Sequence, residues 1–167
     1  MESGRKQYRK EAHNAFQLAR ETVADFTQQA EANGFSLEAN LDYSEGAEVA
    51  NVHVDEEAFR RALRNLLDNA MKYSPDCRTV WVDGSIEDHQ VLISVRDQGM
   101  GISAEEERAI FEKFVRGNAA KRAGIKGTGI GLAMVQQIAV AMGGEIRLRS
   151  EVGVGSTFTL VLPLADG

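Results

Sequence analysis

The chain has 167 residues, 43% of them apolar and 26% charged, which suits one soluble domain with a real core. Its net charge of −6 argues against non-specific nucleic-acid binding, and its one cysteine, Cys77, excludes an intrachain disulfide. No apolar run is long enough to span a bilayer and no signal peptide opens the chain. The expected setting is cytoplasmic, with no direct membrane contact by these residues; a longer parent protein could be anchored in the bacterial inner membrane through other segments.

Residues 1–13 are polar and basic, with Arg5, Lys6, Arg9 and Lys10, and are expected to be a linker or the end of an upstream helix. A nucleic-acid arm is the sharper alternative and sits poorly with an acidic whole. The domain proper is expected over residues 14–165. From Asn14 to Ala32, Phe16, Ala19, Val23, Phe26 and Ala30 recur at helical spacing, and Asn33-Gly34 closes that helix. Phe35, Leu37, Ala39 and Leu41 alternate with polar residues as in a half-buried strand, and a short strand is expected over Val49–Val54. Asp55 is a good N-cap, with Glu56 and Glu57 in the first turn, where the helix dipole favours acid. The helix that follows carries Phe59, Ala62, Leu63, Leu66, Ala70 and Tyr73 on its apolar side and ends before Pro75.

Thr79–Asp83 and Gln90–Asp97 read as a strand pair, and Ser103 with Glu106 as the capping box of a short helix. Val115–Lys126 has four basic residues and little apolar content, and is expected to be a mobile loop. Ile130–Met142 reads as a helix stopped by Gly143-Gly144, and Glu145–Ser150 with Thr157–Leu162 as a C-terminal hairpin. The order predicts an α+β fold: a two-layer α/β sandwich with a mixed, mostly antiparallel sheet and three main helices on one face. Strict strand–helix alternation is absent, which excludes a doubly wound parallel sheet.

Four segments carry chemistry. Asn65, Asn69 and Lys72 share one face of the central helix, beside its apolar stripe. Amide oxygens suit Mg²⁺, Lys72 can meet phosphate as a point charge, and Tyr73 offers a surface to a base. The bland alternative is an ordinary polar flank with Tyr73 in the core. Asp97 ends a strand ahead of Gly99 and Gly101, where a carboxylate can accept the amino hydrogens of adenine; a simple turn is the alternative. Gly127-Thr128-Gly129-Ile130-Gly131-Leu132 opens a helix whose N-terminus can hold an anion, or else is only a flexible entry. It is neither the dinucleotide fingerprint nor a P-loop. Gly153, Gly155 and Thr157 supply bare backbone and a hydroxyl, or just a hairpin turn.

Taken in this order, the segments resemble the catalytic ATP-binding domain of two-component sensor histidine kinases. That superfamily also holds gyrase, the large heat-shock chaperone and the mismatch-repair ATPases. The resemblance covers Asn14 to Pro163. Asn65–Ser74 is similar to the N box, Asp97–Ile102 to the G1 box, Ile110–Arg116 to the F box, Gly127–Leu132 to the G2 box and Gly153–Thr157 to the last glycine box. It implies a Bergerat-type fold with an ATP lid over 115–126. By position, Asn69 would be the chief Mg²⁺ ligand, with Asn65 and Lys72 completing the catalytic set. Tyr73, Asp97, Gly99, Gly101, Ile102 and Thr157 would surround the adenine. Gly127, Thr128, Gly129, Ile130, Gly131 and Leu132 would cradle phosphate, and Arg116, Lys121, Arg122 and Lys126 would reach it from the lid. Phe111 and Phe114 would anchor the lid or simply bury a short helix.

The resemblance implies ATP and Mg²⁺ as cofactors and a histidine on a separate domain as acceptor. The superfamily's ATPases carry a glutamate one turn before the metal asparagine; here that position is Asn65, and an amide cannot act as a general base. None of His13, His53 and His89 sits in an acceptor pattern. The implied partners are therefore the dimerisation and phosphoacceptor helices of the same kinase and, indirectly, a response-regulator receiver domain, with no nucleic acid and an isolated domain expected to be monomeric. A non-catalytic nucleotide-binding regulatory module and an anti-sigma-factor-type serine kinase are the alternatives.

Overall fold

A computed structural model describes residues 8–41, 50–72, 78–99 and 128–165. In chain order these form β1 (Glu11–Asn14), α1 (Ala15–Ala32), β2 (Ser36–Asn40), β3 (Asn51–Val54), α2 (Glu56–Lys72), β4 (Thr79–Glu87), β5 (Gln90–Asp97), α3 (Thr128–Ala141), β6 (Glu145–Glu151) and β7 (Gly155–Pro163). The main sheet has five strands in the order β2-β4-β5-β7-β6. Only β2 and β4 run parallel; the other neighbours are antiparallel. The α+β sandwich and its mixed, mostly antiparallel sheet are as the sequence predicts.

Alternation builds the core. Val80 and Val82 on β4, Val91, Ile93 and Val95 on β5, and Phe158, Leu160 and Leu162 on β7 are all buried. Three helices join the same cluster through Phe16, Val23 and Phe26 of α1, Phe59, Leu63 and Leu66 of α2, and Leu132, Val135 and Ile138 of α3. Each helix meets the core for a local reason. Asn14 caps α1 by accepting from the Gln17 amide at 3.0 Å, and Asp55 caps α2 by accepting from the Ala58 amide at 3.0 Å. Gly143, at φ +84°, ends α3, with the Gly144 amide donating to the Ala139 carbonyl at 2.8 Å.

Three elements differ from the sequence expectation. The sequence predicts a linker or the end of an upstream helix over residues 1–13, yet Glu11–Asn14 is a strand antiparallel to β3, with Ala12 opposite His53. The segment before it is also tied in: the Arg9 amide donates to Asp55 Oδ2 at 2.8 Å, and Lys10 Nζ donates to the Ala141 carbonyl at 3.1 Å. β4 runs past Asp83 to Glu87 and turns into β5 through Asp88 and His89, both at positive φ (51° and 61°). Gly84 lies inside this strand, where a Cβ would sit 2.7 Å from Phe16 Cε1 and only glycine leaves the room. α3 also starts two residues before Ile130, at Thr128. The capping-box helix, the F box and the 115–126 loop lie outside the described residues.

Candidate nucleotide site

The motif residues that the structure describes lie on the last turns of α2, the end of β5, the start of β7 and the first turn of α3; Asp97 pairs with Ser156, and α2 packs against both β5 and α3. Asn69 is 3% exposed, and its Nδ2 has no hydrogen-bond partner among the described residues. A buried amide left so costs stability and asks for a ligand or water to complete it. Asn65, one turn earlier, is half-buried and donates from Nδ2 to the Arg61 carbonyl at 2.9 Å. It lines an open groove of about 360 Å³ with Gln29, Arg61, Arg64 and Asp68, so the two amides of the motif meet different surroundings. Lys72 is the last residue of α2.

Asp97 is the last residue of β5 and only 2% exposed. Its Oδ1 accepts from two backbone amides, Gly99 at 2.9 Å and Ser156 at 3.2 Å. The first bond is an Asx-type turn that lets the chain leave the strand; the second reaches across to β7. A buried carboxylate held this way is fixed in place by charge-assisted bonds. Gly155 makes the approach possible: a Cβ there would lie 2.2 Å from the Asp97 carbonyl oxygen, and its φ of 144° suits glycine.

Thr157 does not belong to this cluster. It stands opposite Arg96 and Arg149, on the sheet face away from the helices, where Arg96 stacks on Trp81 at 4.3 Å. Strand alternation puts its neighbour Ser156 opposite Asp97 instead, 2% exposed. Ser156 is thus the hydroxyl at the carboxylate, and counting period two backwards from the buried Phe158 would have found it. In the glycine loop, Thr128, Gly129, Ile130 and Gly131 lie in the first turn of α3 rather than ahead of it. The orphan amides of a helix beginning there are those of its first residues, which leaves Leu132 out; its side chain is fully buried in the core. Tyr73, Gly101, Ile102, Arg116, Lys121, Arg122, Lys126 and Gly127 lie outside the described residues.

An open α+β sandwich with a buried strand-end aspartate, a helix asparagine and a glycine-rich helix start defines a class of ATP-binding domain. Residues 54–166 match the family described as histidine kinase-, DNA gyrase B-, and HSP90-like ATPase, and the chain belongs to that family. Its relatives include proteins named as sensor histidine kinases. The chain is 40% identical over 109 residues to the sensor-like histidine kinase SenX3 of Mycobacterium tuberculosis, a match covering 65% of this chain and 27% of that protein. It is 35% identical over 130 residues to the sensor protein KdpD of Escherichia coli, covering 78% of this chain and 14% of KdpD. The full-length ShkA structure in complex with AMPPNP superposes with a TM-score of 0.74 at 26% identity, over 97% of this chain and 32% of that one. The mycobacterial sensor histidine kinase MprB shares the fold at a TM-score of 0.72 and 24% identity, over 95% of this chain and all of the other. The chain is therefore a histidine-kinase-type ATP-binding domain, and it spans about a quarter or less of the SenX3 and KdpD sequences.

Proposed function

We propose that this domain binds Mg-ATP and delivers the γ-phosphoryl group to a histidine on a separate dimerisation and phosphoacceptor domain, within a two-component signalling protein. The observation that carries the reading is Asp97: a buried carboxylate, held by the Gly99 and Ser156 amides, at the end of a strand that packs against the asparagine helix. Such a group accepts the amino hydrogens of adenine and repels a carbonyl oxygen, so it selects adenine over guanine. Asn69 fits a magnesium ion by its chemistry. It is a buried neutral amide whose oxygen suits a cation that keeps waters and substrate phosphates as its other ligands, while its nitrogen, a donor without a partner among the described residues, can meet a phosphate oxygen. Once bound, the ion would neutralise charge on the phosphates during transfer. Lys72 would meet phosphate, and the first-turn amides of Thr128, Gly129 and Ile130 would hold it with the helix dipole.

In the transfer itself an imidazole nitrogen of the acceptor attacks the γ-phosphorus. A P–N bond forms, the P–O bond to ADP breaks, and ADP leaves with the electron pair. Asn65 offers no base to activate water, so transfer rather than hydrolysis is favoured. The response regulator would then receive the phosphoryl group from that histidine. Radiolabelled ATP tests this, first with the chain alone and then with the acceptor helices of its kinase added. The expected result is nucleotide binding without self-labelling in the first case, and acid-labile label on the acceptor in the second. Acid-stable label on the isolated chain, or rapid phosphate release from it, would overturn the assignment; tight ATP binding with no transfer would leave a regulatory module.

A further inference from the structure

Behind the carboxylate lies a row of three polar residues that crosses three strands. Ser150 on β6 is paired with Ser156 on β7, and Ser156 in turn with Asp97 on β5. The Ser150 and Ser156 hydroxyl oxygens are 2.8 Å apart, and Ser150 Oγ also lies 3.2 Å from the Gly155 carbonyl oxygen. A carbonyl can only accept, so the bond to Gly155 uses the single Ser150 proton. With the Ser150 proton on the Gly155 carbonyl, the bond between the hydroxyls uses the proton of Ser156. In that arrangement Ser156, buried beside Asp97, turns lone pairs rather than a proton toward its surroundings.

We infer that Ser150 determines base specificity by fixing the polarity of Ser156, an inference that rests on the reading of Asp97 as the adenine residue. With Ser150 in place, the base meets two acceptors, the Asp97 carboxylate and the Ser156 oxygen. An amino group satisfies them; the carbonyl oxygen of guanine meets only lone pairs. Without Ser150 the Ser156 proton is released and can be donated to that carbonyl. Ser150 touches no nucleotide in this account. It acts through Ser156 and through the Gly155 carbonyl, so it is a positioning residue.

The test is the ratio of ATP to GTP affinity, read by competition against a fluorescent nucleotide, for wild type, Ser150→Ala, Ser150→Thr and Asp97→Ala. A hydrogen bond of ordinary strength corresponds to a fall of about three- to tenfold in the ratio for Ser150→Ala. Ser150→Thr keeps the hydroxyl and is expected to hold the wild-type ratio, which a loss of packing alone would not reproduce. If Ser150→Ala does not fold, Ser150→Cys removes the strong acceptor of the Ser156 proton at nearly the same size and is expected to lower the ratio in the same way. An unchanged ratio in the Ala or Cys variant, with the ratio lost in Asp97→Ala, overturns the role of Ser150 and leaves the adenine reading standing. An unchanged ratio in Asp97→Ala overturns the adenine reading, and the inference falls with it.

Discussion

Asn69 and Asn65 stand one turn apart on the same helix, and burial separates them. Asn65 ties its amide nitrogen to the Arg61 carbonyl, whereas Asn69 is buried with no partner for Nδ2 among the described residues. A polar group kept in that state weakens the fold unless a ligand completes it, and such weaknesses collect at functional sites. Replacing Asn69 by Leu, of similar volume, is therefore expected to leave thermal stability equal or higher while removing the Mg²⁺-dependent part of ATP affinity. Melting curves and calorimetry with and without Mg²⁺ check both halves; a large stability loss with unchanged magnesium dependence would make Asn69 a structural residue. Both residues are legible in the sequence as a spacing. Their different surroundings are not, because they depend on what α1 and the sheet bring to each side. The reverse held at the hairpin, where Thr157 looked like the site residue. Period two from the buried Phe158 assigns that role to Ser156, and no distant contact is needed to see it.

At the scale of elements, α1 and α2 are joined by more than their apolar faces. Arg60 on α2 donates to Glu21 of α1 and to Glu56 one turn earlier on its own helix. The hydrogen bond from Arg60, followed by one from Gln17, holds the Glu21 carboxyl below its ordinary value of 4.5. The folded state therefore binds that proton less readily than the unfolded chain. The contribution of this clasp is present above pH 4.5 and is lost as pH falls through the lower, folded value. Both groups are at the surface, so the effect is expected to be small and to shrink with salt. Carboxyl titration by NMR should find Glu21 below 4.5 in wild type and back near it in Arg60→Ala. An unshifted Glu21 in wild type would show that the clasp does not form in solution. The helices themselves were readable from their apolar stripes and caps. β1 was not: it is four residues long, it shows no alternation of burial, and its partner β3 begins at Asn51, far along the chain. The sequence predicts β4 only over Thr79–Asp83, although the sheet continues through Gly84 and Ser85 to Glu87.

Across the whole molecule, the helical layer is seated on the sheet, and at Gly84 the sheet leaves room for Phe16 of α1. A methyl group there would stand 2.7 Å from Phe16 Cε1 and 2.9 Å from Leu41 Cδ2, and both side chains are buried. Neither has open space to move into, so the helix must lift or the strand must bend. Overpacking of this kind costs about 1–3 kcal/mol, which for a domain of this size lowers the melting temperature by roughly 2–12 °C. Gly84→Ala is expected to show a fall in that range, and Phe16→Leu to cost stability by loss of contacts. Because the clash needs both groups, the double variant should be more stable than the sum of the two losses predicts, with a coupling of about 0.5–3 kcal/mol. Strictly additive losses would mean that Phe16 is not what Gly84 makes room for. The fold class follows from the order of helical and alternating patterns, since each pattern is local. The seating of one layer on the other depends on pairs such as Gly84 with Phe16, distant in the sequence, and no local pattern reveals it.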